Sequence, residues 1–156
     1  MDSILTLNDN ITQEQLTEIY NNSYIKDAVK QDNREFMPIK HPLITYYSAQ
    51  IHDRFVGAFL QIRFSQWEIE LHSLLKKDAM AFSREFGKMI IDKSFNDNKE
   101  VQRITVFIID GLNTVKNFCE KIGFKLEGIK RKACLKNNAY KDVYMYGITR
   151  EDWRLL

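Results

Sequence analysis

The sequence contains few of the residues that mark specialised classes of protein. Its 156 residues include two cysteines, two prolines and six glycines. Two cysteines are too few for the disulfide framework of a small secreted domain, so reduced thiols are expected, although a disulfide between Cys119 and Cys134 stays open. The chain also has no internal repeat and no low-complexity segment.

Excess charge and long apolar runs are scarce as well. The formal net charge is +2, which is too small to indicate binding to nucleic acid or to a membrane by bulk electrostatics. No apolar run approaches the roughly 18 residues that cross a bilayer, and the first ten residues lack the pattern of a signal peptide. With 44% hydrophobic residues, we expect one cytoplasmic globular domain over residues 1–156.

The most informative stretch runs from Arg103 to Phe124. Residues 103–109 form a β-branched and aromatic run, which indicates a strand buried between layers. Asn113 is then predicted to cap a short helix, and Gly123 to end it in the left-handed conformation. One face of this helix carries apolar residues at helical spacing: Val115, Phe118, Cys119 and Ile122. The stretch therefore predicts a strand–helix–strand unit with polar groups at the usual binding edge of an α/β sheet.

The flanking segments predict an alternating order of elements. A first strand over residues 3–7 precedes a helix that begins with a Thr12–Gln15 capping box and continues, as one kinked helix or two, to residue 29. Segment 31–42 contains both prolines and is predicted to be irregular. The remaining predictions are strands over 43–51, 55–64 and 67–75, a helix from Asp78 or Ala79 to Phe95, and a hairpin over 125–136 and 139–148.

A family resemblance is carried by residues 113–128. Asn113, followed by the run Glu120-Lys121-Ile122-Gly123-Phe124 and then by Glu127-Gly128, resembles the GNAT N-acetyltransferases, and most closely the branch that acetylates the amino termini of ribosomal proteins. The tail, with Tyr140-x-Asp142 and Glu151-x-Trp153, continues this similarity. The ending YGITREDW also resembles GNAT-like proteins encoded by tailed phages.

The resemblance implies a fold, a reaction and a co-substrate. The fold would be a mixed α/β sheet of order β-α-β-β-β-α-β-α-β-β with helices on both faces. The reaction would move acetyl from acetyl-CoA to an amine by direct attack. A protein amino terminus, a lysine and a small amine all stay open as acceptors, and so does a homodimer. The alternative is a catalytically inactive binding protein, such as a phage accessory or virion component, in the host cytoplasm.

Polar side chains alternate along the predicted strand 67–75. Glu68, Glu70 and His72 share one face of it. Because burying such groups is costly, this face should line a wet cleft or lie near an edge. In a GNAT fold the strand borders the acceptor amine, so Glu70 or His72 would take the proton from the amine, and Glu68 would recognise the acceptor. The alternative is a hydrogen-bonded row without a catalytic duty.

The resemblance also implies residues that bind the co-substrate. Backbone N–H groups near Leu74 and Leu75 would stabilise the oxyanion. Asn113 would contact the pantetheine arm. Cys119 stands where many GNAT enzymes have a tyrosine that protonates the leaving thiolate, but its position in the apolar stripe favours packing. No metal site is predicted.

The pyrophosphate loop of the family lies between the same strand and the next helix, at a positive helix end. Its pattern is degraded here. With Gly87 in the last small position, Phe82 and Glu85 stand where a basic or amide residue and a glycine are expected. In the alternative alignment, the loop centres on Lys76-Lys77-Asp78-Ala79. Positive charge would come from Lys76, Lys77 and Arg84. A second basic run, in residues 125–136, is typical of a solvated edge strand, so nucleic-acid binding is not favoured.

Overall fold

A computed structural model describes residues 4–156 as a seven-stranded mixed sheet with helices on both faces. The strands are β1 (Leu5–Asn8), β2 (Ile44–Ile51), β3 (Arg54–Arg63), β4 (Glu68–Leu75), β5 (Arg103–Ile109), β6 (Lys125–Lys136) and β7 (Ala139–Thr149). The α-helices are α1 (Gln13–Asn21), α2 (Ser23–Val29), α3 (Ser83–Asp97), α4 (Asn113–Lys121) and α5 (Arg150–Arg154). The strand order is β1-β2-β3-β4-β5-β7-β6, and β4 and β5 are parallel neighbours while the other neighbours are antiparallel.

Local sequence signals explain most of these boundaries. The Thr12–Gln15 capping box opens α1, and Asn22 separates α1 from α2, which settles the choice between one kinked helix and two. The β2–β3 and β6–β7 turns each place two consecutive residues at positive φ, as tight hairpin turns require. Residue 3 of the predicted first strand lies outside the described residues.

Two predicted features need correction, and one element was not predicted. The segment Lys77–Phe82 is a 3-10 helix, and the α-helix begins only at Ser83. Asn113 is the first residue of α4, and Leu112 occupies the cap position without a side-chain hydrogen bond. Helix α5 was not predicted, although Thr149 and Asp152 form a capping box at its start; its buried Arg150 donates to the carbonyls of Phe95 and Val101.

The two faces of the sheet bury separate apolar clusters. On one face, α3 and α4 pack on the sheet, with Phe86 and Ile90 fully buried against Ile69 and Ile104. The other face is covered over β2, β3 and β4 by α1 and α2, where Leu74 packs in a smaller cluster. The central strand β4 therefore lies between two helical layers, with its polar row turned toward the α1–α2 side.

Candidate active site

The centre of the sheet is split. Strands β4 and β5 pair over three positions, ending with Glu70 opposite Thr105. Beyond this point, within the described chain, Leu71–Leu75 and Val106–Ile109 are not paired with each other. We call this unpaired part the β4–β5 opening.

The hydrogen-bond register shows which backbone groups of β4 face the β4–β5 opening. The Lys76 N–H donates to the carbonyl of Val56 (2.9 Å), on the β3 side. Because backbone groups point alternately to the two neighbouring strands, the even-numbered residues of β4 turn their polar groups to β3. The odd-numbered residues Leu71, Ser73 and Leu75 turn theirs toward the opening.

The backbone groups of β5 alternate in the same way. The Asp110 N–H donates to the Asp142 carbonyl (2.9 Å), on the β7 side, so Phe107 and Ile109 turn their backbone groups toward the β4–β5 opening. The expectation that Leu74 offers its backbone N–H there needs correction, because that group points to β3. Its neighbour on β4, Leu75, retains the predicted orientation.

A cavity of about 310 Å³ occupies the β4–β5 opening. Its walls include Tyr20, Ile25 and Phe36 from the α1–α2 side, and Gly87 and Phe118 from the α3–α4 side. Since these residues belong to opposite faces of the sheet, the cavity passes between the two strands. Such a passage can bring together two ligands that enter from opposite faces.

Glu70 and His72 form a pair on the α1–α2 side of the passage. The Oε1 of Glu70 lies 3.0 Å from Nε2 of His72. The Glu70 side chain is 14% exposed and that of His72 is 37% exposed, so the imidazole lies between the carboxylate and solvent. His72 also lines the cavity. When Nε2 carries the ring proton and donates it to Glu70, Nδ1 remains as an acceptor.

The paired half of β4 and β5 carries a different polar group. The Thr105 hydroxyl donates to Oε2 of Glu68 (2.7 Å) and accepts from Nε of Arg103 (3.1 Å). Arg103 also forms an ion pair with Glu127, and the hydrogen bond to that carboxylate raises the pKa of the Arg103 guanidinium. Glu68, which was expected to recognise the acceptor, is therefore engaged with Thr105 and Arg103.

The basic residues predicted to meet phosphate lie in different places. The Lys76 ammonium donates to Glu18 of α1 (2.6 Å), on the side of the sheet opposite α3. Lys77 and Arg84 are exposed around the start of α3, and no ion pair in the described chain engages either of them. Gly87 lies inside α3, where an added Cβ would be 2.6 Å from Cζ of Phe118. A side chain at position 87 would thus disturb the contact between α3 and α4.

Helix α4 places one predicted residue at the β4–β5 opening and one outside it. Cys119 is buried and lines the cavity. Burial raises the pKa of its thiol to about 12, which keeps it protonated at neutral pH. Asn113 is exposed at the start of α4, between Leu112 and Thr114, which both line the cavity. Both cysteines are free thiols.

The segment between α2 and β2 closes the α1–α2 side of the passage. Phe36 packs on Tyr20, with ring centroids 4.6 Å apart. The Tyr20 hydroxyl is 2.9 Å from that of Tyr46, and burial is the main cause of the raised pKa of Tyr20. The sequence predicted that this segment is irregular, but it did not single out Phe36 or Tyr20 as site residues. Only their spatial approach distinguishes them from ordinary core aromatics.

The segment is also tied to the β6–β7 hairpin. The Asp32 carboxylate accepts hydrogen bonds from the backbone N–H groups of Asn137 and Asn138, at 3.1 and 2.7 Å. The Asp32 N–H donates to the carbonyl of Leu135 (2.8 Å). The two N–H donors, that of Asn138 first, lower the pKa of the Asp32 carboxyl, so it is charged at neutral pH. This contact spans more than a hundred residues of sequence and was not predicted.

Among residues 4–156, no group of three or more histidine, cysteine or acidic side chains is arranged to hold a metal ion. No helix in the same part of the chain is long and apolar enough to cross a membrane.

Comparisons with known proteins place the chain in a family. The sequence profile of the acetyltransferase (GNAT) domain matches residues 3–145. No curated protein matches the chain. A spermidine N-acetyltransferase from Vibrio cholerae, solved in complex with CoA and spermine, is similar in structure, with a TM-score of 0.81, 16% identity, and coverage of 98% of this chain and 99% of that one. A chimera of that enzyme with hSSAT gives a TM-score of 0.81 at 16% identity, over 97% of this chain and 99% of the other.

These matches confirm the predicted fold and family. The mixed α/β sheet with helices on both faces is the GNAT fold. The resemblance to the ribosomal-protein branch and to phage proteins remains a prediction. The profile match covers most of the chain, and the chain therefore belongs to the GNAT acetyltransferase family, whose acyl donor is acetyl-CoA.

Proposed function

We propose that the protein transfers acetyl from acetyl-CoA to a primary amine by direct attack, with the two substrates meeting in the β4–β5 opening. The observation that carries this proposal is the passage between β4 and β5, which is lined from both faces of the sheet. The Glu70–His72 pair lies where the amine would enter, on the α1–α2 side. No covalent intermediate on the enzyme is part of the proposal.

The residues around the β4–β5 opening fit a thioester arm. The outward-facing backbone groups of Leu71, Ser73 and Leu75 have no partner strand on that side in the described chain, and they could pair with the amides of the pantetheine arm. Of these groups, the Leu75 N–H is our candidate for the oxyanion donor. Gly87 keeps α3 and α4 close beside the passage.

Positive charge is also available for the phosphates. Lys77 and Arg84 lie at the start of α3, where the helix end itself favours anions. Asn113, at the exposed start of α4, would contact the arm from the other side. Glu85 lies in the first turn of α3 and would oppose a phosphate placed directly there. We therefore assign the phosphates to the Lys77 and Arg84 side chains.

The Glu70–His72 pair would handle the proton. Bound acetyl-CoA supplies an activated acyl group, and attack by a neutral amine forms the C–N bond while the C–S bond breaks. His72 would take the proton that the amine nitrogen loses, directly or through water. Glu70 would hold the imidazole in one orientation and stabilise its charged form. Cys119, protonated and lining the cavity, could return a proton to the thiolate only at a cost, so water is the preferred donor.

The test is a two-step assay on the purified protein. Thermal melting with and without acetyl-CoA measures binding, because a ligand that binds the folded state raises the melting temperature. Acetyl transfer is then followed by mass spectrometry with a panel of amines. We expect stabilisation by acetyl-CoA and an acetylated product for at least one amine.

Two negative outcomes have separate meanings. Stabilisation by acetyl-CoA without transfer to any amine would favour the catalytically inactive binding protein. Absence of both binding and transfer would reject the proposed co-substrate site.

A further inference from the structure

We propose that the acceptor is a single amine carried on an apolar or aromatic group, and that polyamines are poor acceptors. This inference rests on the proposed acetylation of an amine and narrows its substrate class. It departs from what the structurally similar spermidine N-acetyltransferases would suggest, and at 16% identity those proteins establish the fold alone.

The wall that an acceptor would meet is apolar and aromatic. We call it the acceptor wall, and its residues all line the cavity on the α1–α2 side: Tyr20, Tyr24, Val29, Phe36 and Phe107. Among the described residues that line the cavity, none is Asp, Glu, Lys or Arg. A polyamine carries several ammonium groups, and each one placed against this wall would lose hydration without gaining a carboxylate.

Three carboxylates near the passage are already engaged. Glu70 contacts His72, and Glu68 accepts a hydrogen bond from Thr105. Asp32 accepts two backbone N–H groups of the β6–β7 hairpin. Glu70 can therefore serve the one reacting amine, but the acceptor wall itself offers no second carboxylate for a distal ammonium, since the exposed Asp27 and Glu35 of the same segment do not line the cavity.

The charge at the edge of the acceptor wall has the wrong sign for a polycation. The Lys130 ammonium lies 5.0 Å from the centroid of the Phe107 ring. The segment 23–40 that builds the wall contains four basic and three acidic residues, and the hairpin 125–147 contains six basic and two acidic residues. Both segments are net positive, so they would repel an acceptor with extra positive charges.

The acceptor wall is held in place by contacts outside the cavity. Asp32 binds the β6–β7 turn, Lys136 donates to the Lys30 carbonyl (2.7 Å), and the Ile39 N–H donates to the Tyr46 hydroxyl (3.3 Å). These contacts fix both ends of the segment that carries Phe36. A wall ordered in this way can select by shape and polarity without first folding around its ligand.

The test compares acceptors that differ in one property. Phenethylamine has one amine on an aromatic group, and spermidine has several amines on a flexible chain. Two peptides of identical sequence after the first residue, beginning with Phe or with Asp, repeat the comparison at a peptide amino terminus. We expect kcat/KM for phenethylamine to exceed that for spermidine by at least about tenfold, and the Phe peptide to be preferred over the Asp peptide if the source is a peptide.

Variants would show which residues cause the selectivity between acceptors. Phe36→Ala should lower kcat/KM for phenethylamine about three- to tenfold, because aromatic contacts contribute on that scale, while ethylamine, which does not reach the ring, changes little. Phe36→Leu should restore most of the loss. Lys130→Glu should raise kcat/KM for spermidine about threefold or more, whereas Arg131→Glu, the same charge change at an exposed neighbour, should not.

The outcomes separate this inference from the proposed function. Transfer to spermidine as efficient as to phenethylamine would overturn the inference and leave amine acetylation intact. Equal effects of Phe36→Ala on phenethylamine and ethylamine would also overturn it, because the ring would then act only on the fold. No transfer to any amine, with acetyl-CoA still stabilising the protein, would reject both.

Discussion

The paired and the open halves of the junction between β4 and β5 contain similar polar residues that make different contacts. In the paired half, Glu68, Thr105 and Arg103 satisfy one another across adjacent strands. At the edge of the open half, Glu70, the last residue of β4 that pairs with β5, contacts His72 on its own strand, and His72 lines the cavity. Two carboxylates on one face of β4 thus differ in their partners, because Glu68 contacts residues of β5 and Glu70 contacts a histidine that borders the cavity. The point at which the two strands separate, and not the residue type, therefore decides which polar group lies next to the cavity.

The largest effect should come from removing the polar pair of the open half. Glu70→Gln and His72→Gln are each expected to lower kcat about 10²- to 10⁴-fold, the usual range for loss of a general base. Glu68→Gln, the matched change in the paired half, should leave kcat within about threefold, since its partners lie away from the cavity. Steady-state kinetics across neutral pH, where imidazole groups change charge, would measure the three variants.

Acetyl-CoA binding provides the control for this comparison. Both variants should retain the thermal stabilisation by acetyl-CoA, because in the proposed function the amine and the phosphates bind on opposite sides of the sheet. If Glu70→Gln and His72→Gln turn over like the wild type, the pair is architectural and the proton leaves through water alone. If Glu68→Gln loses as much activity as they do, the distinction between the two halves fails.

The fold was largely accessible from sequence because its signals are local. The β-branched run 103–109 matches β5 residue for residue. The alternation Glu68, Glu70 and His72 placed these three side chains on one face, as observed. The predictions failed where tertiary contacts override local signals. Asn113 has a capping side chain, yet Leu112 takes the cap position, and α5 is too short to show a periodic pattern.

The candidate site was less accessible, for a geometric reason. Which of Glu68 and Glu70 lies next to the cavity depends on where β4 and β5 separate. The pattern of residues in a strand does not encode the point at which a parallel pairing ends. Likewise, the contact between Asp32 and Asn138 joins distant segments through backbone N–H groups, which leave no trace in residue type. The family resemblance supplied the location of the cleft, but it did not supply the composition of its acceptor wall.

A second way to disturb the open half is to add a side chain on α3, on the α3–α4 side of the cavity. In Gly87→Ala the new Cβ would lie 2.6 Å from Phe118 and 2.9 Å from Ile122, so both side chains must shift beside the cavity. We expect a loss of about 2 kcal/mol in the free energy of unfolding, because overpacking outweighs the gain in helix propensity, together with weaker acetyl-CoA binding. Denaturant unfolding and the thermal shift measure the two effects.

Gly128→Ala is the matched control, since its new Cβ would lie 3.7 Å from Met145, an ordinary contact. Its stability should change by less than about 0.5 kcal/mol. A Gly87→Ala variant that is more stable than wild type, with unchanged acetyl-CoA binding, would show that α3 and α4 have room to adjust.

A substitution in the paired half should lower the free energy of unfolding and leave the activity unchanged. Thr105→Val removes a buried hydroxyl that bridges Glu68 and Arg103, and we expect a loss of about 1.5 kcal/mol for the two hydrogen bonds. The turnover of the remaining folded protein should be unchanged. Thr45→Val, at an exposed position on β2, should alter the free energy of unfolding by less than about 0.5 kcal/mol. A drop in kcat for Thr105→Val without a loss of stability would place this network in the catalytic machinery.

The smallest effect concerns the thiol buried beside the open half. Burial raises the pKa of Cys119 from 9.0 to about 12, so the unfolded chain releases this proton at lower pH than the folded protein does. The corresponding stability is fully present below pH 9.0 and is lost as the pH rises toward 12. Cys119→Ala should therefore flatten the alkaline decline of the unfolding free energy by about 1 kcal/mol between about pH 9 and 10. Part of the decline should remain, because burial also raises the pKa of Tyr47 and Tyr146. Cys134→Ala removes the other buried sulfur and serves as the control, so identical slopes for the two variants would mean that water reaches Cys119 through the opening.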